Sequence, residues 1–248
     1  MVKRKILLLG GTSEIARNIM SALLRDDDLL VISGRDIHTL KPIAADLSIR
    51  YHCTVKPIAY DMNSLPDCTK FSGEVKTMIG SPDIIIAATG ALGDQVKVRD
   101  SSQLSYQVAM SNYLGITSTI APMIAAMAQR GSGHIIVLSS VAGDRGRESN
   151  YVYGAAKSAI NSYLSGLRAR LHGTGVRVST VKLGFVETRM IAGMKSSFLV
   201  TKPKWIGAKI AALVDSPKDV LYLPKFWWLI MLIIKHIPEM IFKRLKVL

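Results

Sequence analysis

A doubly wound α/β fold is what this chain predicts: a mostly parallel seven-stranded sheet with helices on both faces. Three observations predict it. Short apolar runs recur along the chain and read as buried strands, and stretches of helical period separate them. The first run passes through a glycine turn straight into a helical pattern, as parallel sheets require. The chain has 248 residues, 49% of them hydrophobic, enough for one sizeable core. No Pro/Ser-rich linker, repeat or low-complexity tract divides it.

The elements follow in order. Lys5-Ile6-Leu7-Leu8-Leu9 is a buried strand, 5–9. Gly10-Gly11-Thr12-Ser13-Glu14-Ile15-Ala16 turns into a helix over 14–25, with Ile15, Ile19 and Leu23 on one face. This lets backbone N–H groups approach a pyrophosphate at a helix N-terminus. Ala16 stands where a third glycine is common and is small enough for close helix–strand packing. Strand 29–33 leads through Gly34-Arg35-Asp36 into helix 37–47, and strand 54–59 through Asp61-Met62 into helix 68–79. Strand 83–87 runs into Ala88-Thr89-Gly90, followed by helices 101–111 and 113–130 with Asn112 in the helical stretch between. Strand 134–138 ends at Ser139-Ser140, ahead of helix 150–172. Strand 176–182, helix 203–214 and strand 219–223 complete the alternation.

Chemistry concentrates in helix 150–172. Tyr153 and Lys157 are four apart and share a helix face. A free phenol titrates near ~10, and a neighbouring cation pulls that down. The pair is then a proton donor for a carbonyl receiving a hydride. Ser140, at the carboxyl end of its strand where such sheets bind ligands, is placed to hydrogen-bond that carbonyl; Ser139 reads as structural. At the end of the second strand Arg35 offers a bidentate partner for a 2′-phosphate, which favours NADP(H). Asp36 is adjacent and would suit the ribose of NAD(H), so both forms stay open.

These residues resemble the short-chain dehydrogenase/reductase family over roughly residues 3–225. The resemblance implies a Rossmann-type domain over 1–225 and a catalytic tetrad of Asn112, Ser140, Tyr153 and Lys157. Lys157 would also hold the cofactor ribose, and Asn112 would support a proton-relay water. It further implies cofactor contacts at Gly10, Thr12, Ser13, Glu14 and Ile15, at Arg35, at Asp61 and Met62 for the adenine, and at Thr89 and Gly90. In Leu183-Gly184-Phe185-Val186-Glu187-Thr188, Gly184, Val186 and Thr188 would meet the nicotinamide side. Leu183 replaces the family's usual proline, and Ala87-Ala88-Thr89-Gly90 replaces Asn-Asn-Ala-Gly; neither change touches the tetrad. The Met/Gly-rich stretch from Arg189 to Lys195 falls where the family keeps a substrate lid.

Within the family, Leu7–Ile15, Ala91-Leu92-Gly93-Asp94, Asn150–Gly154, Thr188-Arg189-Met190 and His236-Ile237-Pro238 are similar to reductases of 2-keto sugars carried on a polyprenyl phosphate. Those enzymes complete an epimerisation begun by a flavin oxidase. The resemblance therefore implies a lipid-linked or apolar substrate, a flavin oxidase partner and a homo-oligomer. Two alternatives stand beside it: a membrane-associated reductase of another lipid, such as a keto-lipid or a steroid, and a non-catalytic nucleotide-binding scaffold, against which the intact tetrad argues.

The remaining sequence narrows partners and location. With 32 Lys+Arg against 18 Asp+Glu the net charge is +14, but the basic residues are dispersed and no nucleic-acid motif accompanies them. Cys53, Cys68 and the five histidines show no metal spacing, so no metal and no disulfide are expected. The basic N-terminus precedes an apolar run that ends in the glycine turn rather than a cleavage site, which argues for a cytoplasmic protein. The segment 226–248 is distinct. Phe226-Trp227-Trp228 opens nine consecutive apolar residues, too few for the ~20 of a membrane span. Lys243-Arg244-Leu245-Lys246 follows. Aromatics beside clustered positive charge predict an amphipathic C-terminal helix lying on the inner face of an anionic membrane, with a dimer contact as its rival.

Overall fold

The computed structural model describes residues 3–188 and 199–245. Its sheet is built from β1 (Lys5–Leu9), β2 (Leu29–Gly34), β3 (Thr54–Ala59), β4 (Ile84–Ala87), β5 (Gly133–Ser140), β6 (Val176–Leu183) and, last in the chain, β9 (Val220–Leu223). The seven strands lie in the order β3-β2-β1-β4-β5-β6-β9, every pair parallel. Strands covered on both faces need apolar side chains at successive positions. In β1, Ile6 and Leu8 point into one layer with Ile19, Ile32 and Ile206, while Leu7 and Leu9 point into the other with Phe71, Ile120 and Leu164.

The first layer is closed by α1 (Glu14–Leu23), α2 (Ile37–Tyr51) and α8 (Pro203–Ala211). The second is closed by α3 (Leu65–Ile79), α6 (Gly115–Arg130) and α7 (Tyr151–Arg170). The chain leaves β1 toward β2 on one side and returns to β4 on the other, so a crevice opens at the carboxyl ends of β1 and β4.

Several elements depart from expectation. A five-residue helix, α4 (Gln95–Arg99), was not predicted; it is too short for a periodic pattern, and the Asp94 side chain caps it by accepting from Val96 and Lys97 N–H. The helices expected over 101–111 and 113–130 form one path: α5 (Ser102–Ala109), a π turn over Met110–Leu114, then α6. A two-stranded pair outside the main sheet, β7 (Phe185–Val186) and β8 (Val200–Thr201), was also missed because each strand is only two residues long. The stretch expected to form a lid, Arg189 to Lys195, lies outside the described residues, as does Lys246 of the basic tail.

The tail folds as α9 (Phe226–His236) and α10 (Glu239–Phe242). Trp227, Met231 and Ile234, at helical spacing, are buried with Phe242, Val141 and Phe185. The paired tryptophans, expected to stand exposed together, face opposite ways: Trp227 is fully buried and Trp228 is 55% exposed. Among the described residues no helix is long and apolar enough to cross a membrane.

Candidate active site

The β1–α1 turn works because Gly10 takes φ +86°, where a Cβ would meet the Thr89 side chain at 2.9 Å. Gly10 and Gly11 N–H both donate to the Ser33 carbonyl, at 3.1 and 2.7 Å, pinning the turn to β2. Ser13 caps α1, its hydroxyl accepting from Ala16 N–H. Glu14 and Ile15 begin the helix, where backbone N–H groups have no intrahelical acceptor. Where the third glycine was expected, Ala16 is completely buried in the sheet–helix layer.

A single cleft of about 710 Å³ runs over this turn. Gly10, Thr12, Ser13, Glu14, Ile15, Arg35, Asp61, Met62, Thr89, Gly90, Ser140, Tyr153, Lys157, Gly184, Val186 and Thr188 all line it. Asn112 does not line the cleft; it lies beneath the wall. It is fully buried, and its amide donates to the carbonyls of Ala91 and Val108, both at 2.8 Å. Its Oδ1 has no partner among the described residues. A Cβ on Gly90 would come within 2.8 Å of that oxygen and 3.4 Å of Lys157 Nζ, so Gly90 keeps the two side chains together. Thr39, Tyr60, Asn63 and Ser111 also line the cleft and were not predicted. They carry no motif, although Asn63 directly follows the predicted Asp61-Met62 and its side chain accepts from Ser111.

Tyr153 and Lys157 sit one turn apart on α7, with Nζ 5.7 Å from the phenol ring centre. Nζ donates to the Leu138 carbonyl at 3.0 Å. Ser140 donates to Leu183 O at 3.3 Å and accepts from Ala142 N–H at 3.1 Å. Burial pushes Tyr153 up to about 12, with the nearby Ser140 hydroxyl pulling the other way. Burial also draws Lys157 down to about 8. The anticipated downward pull of the ammonium on the phenol is not what sets either group: in this dry corner desolvation governs both. The result is a phenol that holds its proton near neutrality, the form a general acid needs. Ser139 is structural, donating to Asn161 at 2.6 Å.

The two charges at the end of β2 separate. Asp36 caps α2, accepting from His38 N–H at 2.9 Å and the Thr39 hydroxyl at 2.6 Å. Its carboxyl is held below the usual range, first by the Thr39 bond and then by His38. Arg35 is exposed in the cleft and has no ion-pair or hydrogen-bond partner among the described residues. At the other end Gly184 lies under Trp227, where a Cβ would stand 1.9 Å from the indole nitrogen. Among the described residues no cluster of His, Cys, Asp or Glu could hold a metal ion.

A sequence profile described as short chain dehydrogenase matches residues 4–197. An uncharacterized oxidoreductase of Mycobacterium tuberculosis is 29% identical over 240 residues, 97% of this chain and 96% of that protein. One of Streptomyces coelicolor is 29% identical over 246 residues, 98% of this chain and 96% of that one. Among solved structures, the alcohol dehydrogenase of the archaeon Thermococcus sibiricus complexed with 5-hydroxy-NADP is similar with a TM-score of 0.76 at 20% identity, covering 89% of this chain and 95% of that one.

Proposed function

The chain is an oxidoreductase of the short chain dehydrogenase family, and from that premise we propose that it reduces a ketone to a secondary alcohol with NADPH. The observation that carries this reading is the meeting of Ser140, Tyr153 and Lys157 at one end of the cleft. The cleft fits the cofactor: a glycine turn that a Cβ would block, the open N-terminus of α1, and an unpaired Arg35. NADPH, when bound, supplies the hydride. Arg35 holds the 2′-phosphate, while Asp36 is engaged as a helix cap, which favours NADP(H) over NAD(H). Ser140 orients the carbonyl and Tyr153 donates the proton to its oxygen. Lys157 holds the ribose, and a water between its ammonium and the unpaired Asn112 Oδ1 resupplies the proton.

The substrate in this reading is a 2-keto sugar on a polyprenyl phosphate. Its support is the similarity of the segments quoted above to decaprenylphosphoryl-2-keto-ribose reductase, the partner of a flavin oxidase. The tail adds support: its outward face shows Trp228, Leu229, Leu232 and Ile233, flanked by Lys225, Lys235, Lys243 and Arg244. Such a face suits peripheral docking on the inner leaflet, with residues 1–225 carrying the catalytic domain of a homo-oligomer. Loss of NADPH absorbance with a panel of ketones tests the reading: a short-chain prenyl-phosphoryl 2-keto-ribose, a keto-lipid and a steroid ketone. The sugar should lead by more than tenfold in kcat/KM, or about 1.4 kcal/mol in transition-state binding. A lead by the steroid or keto-lipid would replace the sugar, and no turnover of any ketone with NADPH or NADH would refute the reductase.

A further inference from the structure

The loop from Asp144 to Asn150 joins the β5 end, where Ser140 lies, to the helix that carries Tyr153. Its charged side chains differ in how they are used. Asp144 pairs with Lys182 and accepts from the Tyr222 hydroxyl at 2.7 Å. Arg145 donates to the carbonyls of Ile234, Lys235 and Ile237, pairs with Glu239, and lies 3.9 Å from the Phe242 ring centre. Arg147 is only 6% exposed, and its Nε and Nη1 have no partner among the described residues. Among the described residues no carboxylate pairs with it, including the adjacent Glu148. Burial alone draws its pKa down.

An unpaired guanidinium taken out of water is costly, and the cost is recovered when an anion meets it. The cofactor's phosphates are poorly placed for this. They belong at the α1 N-terminus and Arg35, after β1 and β2, whereas this loop follows β5. From β5 to β1 is two strand spacings and to β2 three, or about 10 and 14 Å. An anion at Arg147 therefore belongs to the substrate. We propose that Arg147 is a specificity residue that grips a phosphate ester of the substrate close to the ketone protonated by Tyr153. The inference rests on the reductase reading and deepens it. A guanidinium fork matches two phosphate oxygens at once. The same loop is fastened through Arg145 to the end of α9, whose outward face is apolar, so a lipid chain leaving that phosphate has apolar surface beside it.

The test uses three ketones: a farnesyl-phosphoryl 2-keto-riboside, a soluble 2-keto-ribose phosphate and a neutral methyl 2-keto-riboside. Arg147→Met keeps the side-chain length and removes the charge. It should lower kcat/KM by about 100-fold on both phosphorylated ketones, mainly through KM, the scale expected for truncating one partner of a buried charged pair. The neutral ketone should change by less than about twofold, and Arg147→Lys should restore part of the loss. Preference of the wild type for the farnesyl compound over the soluble phosphate marks a lipid-borne ligand; equal use marks a free sugar phosphate, and either supports the phosphate grip. Calorimetric binding of farnesyl phosphate, strong in wild type and weak in Arg147→Met, gives a readout without turnover. Melting without ligand should be unchanged or higher in Arg147→Met, because no ion pair among the described residues is lost. Equal losses on all three ketones with a lowered melting temperature would make Arg147 structural and overturn the proposal. If no ketone is reduced yet farnesyl phosphate binding still depends on Arg147, the reductase reading fails and the anion site stands.

Discussion

Arg35 and Asp36 stand side by side at the end of β2, yet only the guanidinium is left for a ligand. Arg35→Ala should therefore weaken NADPH binding by roughly 1.5–3 kcal/mol, the worth of hydrogen bonds to a charged group, and leave NADH binding nearly unchanged. Fluorescence titration with both nucleotides checks this; tighter NADH than NADPH binding by the unmutated protein would contradict it. In the proposed mechanism Lys157 sets the pH dependence. Its ammonium titrates near 8, so reduction should hold below that value and decline above it as the charge is lost. Stability should move the opposite way. The unfolded chain binds this proton more tightly, with a pKa near 10.5, so the fold gains stability as pH rises from about 8 toward 10.5. Rate profiles and melting curves between pH 7 and 10, on wild type and Lys157→Met, separate the two effects. The residue types of this site were legible because i, i+4 spacing and strand ends are visible in sequence. What was not legible was burial: it raises Tyr153 and lowers Lys157, against the simple expectation of one charge acting on another.

The tail helix has a buried face and an exposed face, and one substitution on each tests what the two do. Trp227 is packed on Gly184, Phe185 and Val141, beneath the turn that borders the cleft. Trp227→Ala should cost about 3–5 kcal/mol of stability and loosen that turn, seen as a lower melting temperature and a raised KM for NADPH. Trp228 looks outward, so Trp228→Ala should leave stability within about 0.5 kcal/mol while weakening association with anionic vesicles. Retained vesicle binding in Trp228→Ala, with dissociation of an oligomer by light scattering, would assign this face to a subunit contact. Sequence showed the apolar run but not its division, because nine successive apolar residues mask which of them point inward. The short α4 and the β7–β8 pair escaped notice for a related reason: five residues and two residues are too few to establish a period. Long, strongly apolar strands such as β1 and β5 were clear, since a parallel sheet covered on both faces leaves no polar alternation to misread.

At the scale of the molecule, sheet order does the assembling. Residues from β1, β2, β4, β5 and β6 reach one cleft because all these strands run parallel and end on the same side. Salt dependence tests the proposed docking of the molecule on a membrane. Lys225, Lys235, Lys243 and Arg244 would each contribute about 1 kcal/mol near an anionic surface. Vesicle co-sedimentation should therefore weaken as salt rises but persist through insertion of the apolar face; salt-insensitive or absent binding would count against docking. The central claim, that this cleft performs hydride reduction with Tyr153 as the proton donor, is met most directly by Tyr153→Phe, which removes one hydroxyl from a buried ring. NADPH affinity and ketone turnover should be measured together on this variant and the wild type. NADPH affinity should stay within about 0.5 kcal/mol of wild type, as for a substitution that disturbs nothing else, and turnover should fall by at least the ~100-fold typical of general acid catalysis. Turnover close to wild type, with the phenol gone, would contradict that claim.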